Sequence, residues 1–281
     1  MSAWTPAIGF MQGRLSPLVD GRIQAFPVAH WQSEFTQAQQ HGFPLIEWTI
    51  DADEIADNPL MSGGGRAEIR SLATRHGVTV GSLTADCFMQ APFFKATGGE
   101  ADARYAMIER LLAASAALGM RYVVLPLVDN GGIETPDQAR RLHNGLSSLV
   151  EDWGTASPKI IFESDFAPAD LAQFIAAYPA DRFGINYDIG NSASLGHDPA
   201  AEFAAYAARI DNVHVKDRVR GGTTVPLGQG DADLPLVFRL LTQTGYRGDV
   251  ILQTARAADG DHAGALTRYR DQVRAWIQAA A

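Results

Sequence analysis

The sequence has little cysteine and few basic residues, and each shortage excludes a class of protein. One cysteine, Cys87, stands among 281 residues, so no disulfide can form within the chain, which is typical of a reducing compartment. Lysine and arginine number 23 against 32 acidic residues, giving a formal net charge of −9. A chain with this charge and no basic stripe repels a phosphate backbone. We therefore expect no nucleic-acid partner.

Long apolar runs are also missing. No stretch approaches the roughly 20 apolar residues that a membrane-spanning helix requires. The first residues, MSAWTPAIGF, lack the basic start and apolar centre of a signal peptide. These features predict a soluble, cytoplasmic protein with no membrane partner. Hydrophobic residues make up 46% of the chain, which is enough to bury a large core.

Short apolar runs alternate regularly with amphipathic segments along the chain. The runs are rich in Ile, Val, Leu and Phe and nearly continuous in hydrophobicity, as in parallel strands covered on both faces. The predicted strands are Ala7–Gln12, Leu45–Ile50, Val78–Thr84, Tyr122–Leu127, Lys159–Glu163, Phe183–Asp188, Asn212–Lys216 and Val250–Thr254. The predicted helices between them include Ala101–Leu118, Pro136–Trp153 and Pro199–Arg209.

Eight strands alternating with helices over this length predict the α/β class and a closed (β/α)8 TIM barrel. An open doubly wound sheet is the alternative, but no GxGxxG motif follows the first strand. The glycine run Gly63-Gly64-Gly65 is interpreted as a flexible loop, and no linker divides the chain. A single domain over residues 1–281 follows.

Four consecutive predicted strands end in polar side chains where hydrophobicity alone would favour Val or Leu. They are Glu163, Asp188, His214 and Gln253. Because the carboxyl ends of barrel strands form the ligand-binding face, and alternate side chains point inward, we expect all four to meet. Two carboxylates, an imidazole and an amide oxygen suit Mn²⁺, Mg²⁺, Co²⁺ or Zn²⁺. The alternative is a structural network in which Glu163 pairs with Lys216 or an arginine.

Further polar residues lie near the same ends of the strands. Glu47, on the second strand, is expected to bind substrate hydroxyls or to hold Arg14 of the first loop. Arg14 and Arg256 either grip a hydroxyl or anionic group or are solvated surface residues. The segment Asp86–Gly99 contains three phenylalanines and a lysine. It is interpreted either as a lid over the site or as a contact with a neighbouring subunit.

The sequence resembles the xylose isomerase-like TIM barrels, a superfamily of sugar isomerases and epimerases. The resemblance rests on MQGRLSP after the first strand, IEW on the second, YDIGN, HVKD and LGQGD, and covers essentially the whole chain. It implies that Glu163, Asp188, His214 and the Gln253 position hold a divalent metal, with a sugar, keto-sugar, sugar phosphate or polyol bound over it. It also implies a homo-oligomer, with the number of subunits left open.

The expected chemistry is removal of a proton from the carbon beside a carbonyl held on the metal. Glu163 is the predicted base. Lys216 would donate to the oxyanion or pair with Asp165 or Glu163, and Asp165 and Asn191 are expected to contact the substrate.

Two positions depart from the family. Its epimerases have a glutamate at Gln253 and a histidine at Asn191. Since an amide cannot accept a proton near neutral pH, Gln253 argues against symmetric two-base epimerisation. A dehydratase or lyase resembling the inosose dehydratases, or a metal-free sugar-binding protein, are the alternatives. A metal-dependent endonuclease is disfavoured by the acidic balance and the shortage of histidine ligands.

Overall fold

The computed structural model describes residues 4–53, 55–151 and 157–280, and its centre is a closed parallel barrel. Around the barrel the hydrogen-bonded strands follow the order β1-β10-β7-β6-β5-β4-β3-β2. These strands are β1 (Ile8–Met11), β2 (Leu45–Thr49), β3 (Thr79–Thr84), β4 (Tyr122–Leu127), β5 (Lys159–Ser164), β6 (Phe183–Asp188), β7 (Ile210–Val215) and β10 (Val250–Leu252). The predicted (β/α)8 TIM barrel is confirmed.

A short antiparallel ribbon follows β7. It consists of β8 (Asp217–Arg218) and β9 (Thr224–Val225). The buried Asp217 carboxylate accepts the backbone N–H groups of Gly228 and Gly230 at 2.8 and 2.9 Å. The HVKD and LGQGD segments are therefore joined through one carboxylate, which fixes the ribbon beside the barrel mouth.

Helices surround the barrel. They are α1 (Trp31–His41), α2 (Gly63–His76), α3 (Asp86–Gln90), α4 (Gly98–Leu118), α5 (Pro136–Glu151), α6 (Pro168–Ala176), α7 (Ile189–Leu195), α8 (Pro199–Tyr206), α9 (Leu234–Gln243) and α10 (His262–Ala280). The predicted end of the fifth helix, Trp153, lies outside the described residues. Beyond α8 the chain continues as a 3-10 turn, Ala207–Arg209. No described helix is long and apolar enough to cross a membrane.

Two local predictions are wrong. The run Gly63-Gly64-Gly65 is the first turn of α2, where Ser62 Oγ accepts the Gly65 N–H at 3.0 Å. Glycine is needed at position 65 because a Cβ there would lie 2.1 Å from the Pro59 carbonyl oxygen. The rings of the segment Asp86–Gly99 are not free to contact a neighbouring subunit, whereas Asp86, Met89 and Gln90 of the same segment line the cavity at the barrel mouth. Its three phenylalanines are buried in the core of the chain: Phe88, Phe93 and Phe94.

The side chains of the strands form two layers. Outward positions such as Phe10, Trp48 and Phe162 pack against the helices in one large apolar cluster. Inside the barrel, Met11, Leu45 and Ile251 form a separate apolar cluster. Closer to the carboxyl ends of the strands, the inward-facing side chains are polar. A polar site can therefore form at that end of the barrel.

Candidate functional site

His214 lies at the centre of the polar layer. It is fully buried on β7, which pairs with β6 so that His214 lies beside Asp188. Its Nε2 lies 2.6 Å from Glu47 Oε1, and its Nδ1 lies 3.2 Å from Glu163 Oε2. The imidazole is therefore held between carboxylates of β2 and β5, strands far apart in sequence.

Three of the four predicted metal ligands come together. Glu163, Asp188 and His214 each offer one ligand atom, and these atoms lie within 4.8 Å of one another. All three residues are buried. Two hard carboxylate oxygens and one imidazole nitrogen, converging beside a cavity, fit a divalent cation of the Mn²⁺, Mg²⁺, Co²⁺ or Zn²⁺ type.

Gln253, the fourth predicted ligand, lies just beyond β10. Its side chain is only 8% exposed, and its Nε2 donates to Gln24 Oε1 at 3.0 Å. Its Oε1 is buried and has no hydrogen-bond partner among the residues that the structure describes. Because a buried acceptor without a partner is costly, this oxygen fits a contact with a bound cation or a substrate hydroxyl.

Lys216 pairs with Asp188 instead of Asp165 or Glu163. Its Nζ lies 2.7 Å from Asp188 Oδ2, while Asp188 Oδ1 accepts the Asn191 N–H at 2.9 Å. The ammonium thus supplies a positive charge at the oxygen that faces His214. A cation entering the group would have to share or take over this oxygen.

Glu47 supports His214 and does not contact Arg14. Its carboxylate is fully buried and accepts from Ser82 Oγ at 2.6 Å, Thr84 Oγ1 at 2.7 Å and Asn212 Nδ2 at 3.1 Å, in addition to His214. It is absent from the described lining of the cavity next to the site. A carboxylate behind a histidine ligand orients the ring and selects its tautomer.

The charged groups in this layer shift one another's pKa values. Burial alone lowers the pKa of His214, but the Glu47 and Glu163 carboxylates outweigh it and raise that pKa to about 10. Burial raises the pKa of Glu163, but hydrogen bonding and the charges of His214 and Lys216 hold it below its ordinary value. Burial raises the pKa of Asp188, and Lys216 opposes this. Glu163 is therefore ionised near neutral pH.

Amide side chains orient Glu163. Asn191 Nδ2 donates to Glu163 Oε1 at 2.7 Å, and Asn186 Nδ2 donates to Oε2 at 2.9 Å. Arg218 Nη1 in turn donates to Asn191 Oδ1 at 2.8 Å. Asn186 and Arg218 were missed in the sequence. Asn186 lies two positions before Asp188 and Arg218 two positions after Lys216, so inward-facing alternation was the available signal.

A cavity of about 430 Å³ opens beside this group. Its described lining includes six of the predicted site residues: Arg14, Glu163, Asp165, Asn191, Lys216 and Gln253. Arg256 lies apart and donates to the carbonyl oxygens of Gly13 and Ser16, joining the loops after β10 and β1. Gln24, also missed in the sequence, accepts from both Arg14 and Gln253 and donates to Asp86.

Known proteins resemble the chain over nearly its full length. The sequence model of the xylose isomerase-like TIM barrel family matches residues 35–280. The L-ribulose-5-phosphate 3-epimerase UlaE of Salmonella heidelberg is 26% identical over 262 residues, which cover 89% of this chain and 91% of that protein.

Solved structures share the fold. An L-ribulose 3-epimerase has a TM-score of 0.76 at 18% identity, covering 98% of this chain and 96% of that one. D-allulose 3-epimerase from Methylomonas sp., solved with D-allulose, has a TM-score of 0.71 at 15% identity over 96% and 98% of the two chains. The IOLI protein, solved with a zinc atom, has a TM-score of 0.73 at 15% identity over 98% and 99%. At these identities the likeness establishes the architecture alone.

Proposed function

Because this chain belongs to the xylose isomerase-like TIM barrel family, we propose that it is a divalent-metal-dependent sugar isomerase or epimerase. One observation carries the proposal: the ligand atoms of Glu163, Asp188 and His214 lie within 4.8 Å of one another, and Glu163 also lines a cavity of about 430 Å³. The names of the relatives support the reaction class, since they describe epimerases of L-ribulose 5-phosphate, L-ribulose and D-allulose.

A cation held by Glu163, Asp188 and His214, with Gln253 at the fourth position, would supply Lewis-acid polarisation of the sugar carbonyl. Glu163 is the proposed base. Its carboxylate lines the cavity and is kept ionised by its surroundings, so it can accept a proton from the carbon beside the carbonyl. Asn186 and Asn191 hold its two oxygens in place.

Lys216 is proposed to stabilise the oxyanion that forms when the proton leaves. Lys216 lines the cavity, and its ammonium lies 2.7 Å from Asp188 Oδ2. A positive charge already positioned at the developing negative charge requires little reorganisation during the reaction. Asp165, Asn191 and Arg14 line the same cavity and are proposed to contact substrate. Glu47 is proposed to act through His214. Arg256 is proposed to act through the two loops that it joins.

A dehydratase or lyase is the second candidate, and Gln253 favours it. A two-base epimerase needs a proton-accepting group on each face of the sugar. An amide at position 253 cannot supply one. Elimination of water requires one base, which Glu163 would supply, and a Lewis acid, which a cation held by Glu163, Asp188 and His214 would supply.

Incubation of the Mn²⁺-loaded protein with L-ribulose in D₂O tests the proposal. Deuterium in recovered sugar or in an epimer is expected for isomerase or epimerase chemistry, whereas a dehydrated product would identify a lyase. Glu163→Gln should lower exchange by about 10²- to 10⁴-fold. Glu109→Gln, an exposed position on α4, should leave it unchanged. Absence of exchange and of dehydration across ketopentoses and ketohexoses would reject the proposal.

A further inference from the structure

The cavity beside the metal group has an unusual balance of charge for a site that would bind phosphate. Its described lining contains the carboxylates Asp51, Asp86, Asp129, Glu163 and Asp165 and the cations Arg14, Lys216 and Arg218. Glu163 belongs to the metal group. Within the part of the chain that the structure describes, none of the four aspartates forms an ion pair, whereas Lys216 does. Apart from the metal group, the lining therefore holds four aspartates, of which burial raises the pKa of Asp86 to about 7, against two arginines and a lysine that is already paired.

The cations are already engaged with protein groups. Arg14 is 3% exposed, and its three nitrogens donate to the carbonyl oxygens of Thr254 and Ile23 and to Gln24 Oε1 at 2.8 to 3.2 Å. Arg218 donates through Nε and Nη2 to the Gly222 carbonyl oxygen and through Nη1 to Asn191.

Phosphate is normally bound by forked guanidinium donors or by free backbone N–H groups. Arg14 and Arg218 each commit three of their five N–H donors to neutral protein acceptors, and the Lys216 ammonium pairs with Asp188. The donors that remain belong to side chains already held by these contacts, so a phosphate would find no cation without a protein partner in the described lining.

Negative charge is concentrated on one side of the mouth. Asp129 lies in the 3-10 turn after β4, and Asp165 lies directly after β5, next to Glu163 in the lining. A phosphate dianion near Asp129 and Asp165 would be repelled by both carboxylates.

We infer that the cavity takes an uncharged polyhydroxy ketone, a free sugar rather than a sugar phosphate, unlike the 5-phosphate named for the relative UlaE. Sugar hydroxyls are hydrogen-bond donors, and the aspartates are acceptors. Gln253 Oε1 adds a buried acceptor that has no partner in the described chain. The inference rests on the proposed sugar isomerase or epimerase function and names its substrate class.

A matched pair of substrates tests the inference. We expect the Mn²⁺-loaded protein to turn over L-ribulose with a kcat/KM at least about tenfold higher than that for L-ribulose 5-phosphate, because the phosphate adds repulsion. Calorimetry with ribitol and ribitol 5-phosphate gives a second readout that needs no turnover. Ribitol should bind and ribitol 5-phosphate should bind more weakly, with the difference shrinking as salt is added.

Removing one carboxylate at a time links the preference to its cause. Asp165→Asn and Asp129→Asn should each raise the relative kcat/KM for the phosphorylated ketose several-fold. Asparagine keeps the shape of the side chain and tolerates the positive φ of 48° at position 129. Asp102→Asn, an exposed position on α4 outside the described lining of the cavity, makes the same charge change and should not alter the preference.

The outcomes separate the inference from the proposed function. A higher kcat/KM for the phosphorylated ketose, or tighter binding of ribitol 5-phosphate, overturns the inference and leaves the isomerase or epimerase function standing. If neither ketose is turned over but ribitol binds more tightly than ribitol 5-phosphate, the result supports the inference and counts against the proposed reaction. Binding of neither polyol overturns both.

Discussion

His214 meets a carboxylate at each ring nitrogen, with Glu47 Oε1 2.6 Å from Nε2 and Glu163 Oε2 3.2 Å from Nδ1. Only Nδ1 faces the group that can hold a cation, since Asp188 Oδ2 lies 3.9 Å from it. Glu47 therefore holds a proton at Nε2, and a cation that binds at Nδ1 would displace the second ring proton, which the raised pKa of His214 keeps there in the metal-free protein.

Glu47→Gln is expected to weaken Mn²⁺ binding by roughly 10- to 100-fold, because the ring of His214 loses its charged partner. Calorimetric titration of the folded variant with Mn²⁺ measures the change. Glu109→Gln, with the same chemical change on an exposed helix face, serves as control. An unchanged Mn²⁺ affinity would show that Asn186 and Glu163 suffice to hold the ring.

Gln253 is the residue that separates this chain from a two-base epimerase. Gln253→Glu is expected to increase the rate of epimerisation about tenfold or more, because it supplies a second proton-accepting group. It should also tighten Mn²⁺ binding through the added charge. Epimer formation from L-ribulose, followed by NMR, measures the first effect. Tighter metal binding without faster epimerisation would mean that the second proton transfer does not occur at this position.

Among the elements, helix α1 holds the loop that follows β1. Glu34 of α1 is fully buried, and its carboxylate accepts the backbone N–H groups of Gly13 at 2.9 Å and Leu15 at 3.0 Å. Arg14, between them, lines the cavity. The MQGRLSP segment thus takes its shape from a residue on the following helix.

The stability of the protein should depend on pH through Glu34. Burial raises the pKa of Glu34 to about 7, although hydrogen bonds from the backbone N–H groups of Gly13 and Leu15 oppose the shift. The unfolded chain loses this proton near the ordinary pKa of 4.5, so the native state binds the proton more tightly. This contribution to stability is complete below about 4.5 and is lost as the pH rises to about 7.

Urea unfolding of the wild type and of Glu34→Gln across this pH range measures the effect. The free energy of unfolding of the wild type, relative to the variant, is expected to fall by about 3 kcal/mol from the acid to the neutral end. Parallel pH profiles for the two proteins would rule out Glu34 as the titrating group.

Strand prediction succeeded because the signal is local and strong. Each barrel strand is a short apolar run, and each of the eight predicted runs contains or overlaps an observed strand. The glycine run at 63–65 and the aromatic segment at 86–99 failed for the opposite reason. Their conformations depend on Pro59, which leaves no room for a side chain at Gly65, and on the core that receives Phe88, Phe93 and Phe94.

For the whole molecule, metal binding should add to stability. The ligand group joins β5, β6 and β7, so a cation that binds only the folded chain shifts the unfolding equilibrium. Saturating Mn²⁺, at about 100 times its Kd, should add about 2.7 kcal/mol and raise the melting temperature by roughly 5 °C. Differential scanning calorimetry before and after EDTA treatment measures this shift.

The control for the metal effect is a variant that has lost ligands. Asp188→Asn/His214→Gln should show no Mn²⁺-dependent shift in melting temperature. If the wild type shows none either and purifies without stoichiometric metal, the metal-free sugar-binding alternative would replace the enzyme. Assembly into a homo-oligomer stays a prediction, which sedimentation of the purified protein can decide.

The sequence by itself determined the barrel and the positions of its polar strand ends, because hydrophobic periodicity and strand polarity are properties of neighbouring residues. Glu163, Asp188 and His214 could be selected as a group for that reason. Only the tertiary structure decided which partner each side chain takes. Closure of the barrel brings Glu47 into contact with His214, which is 167 positions away. It also places Lys216 beside Asp188, where the two form an ion pair. The pairing of inward-facing side chains depends on strand register and on how far each side chain extends across the barrel. No single stretch of the sequence determines either.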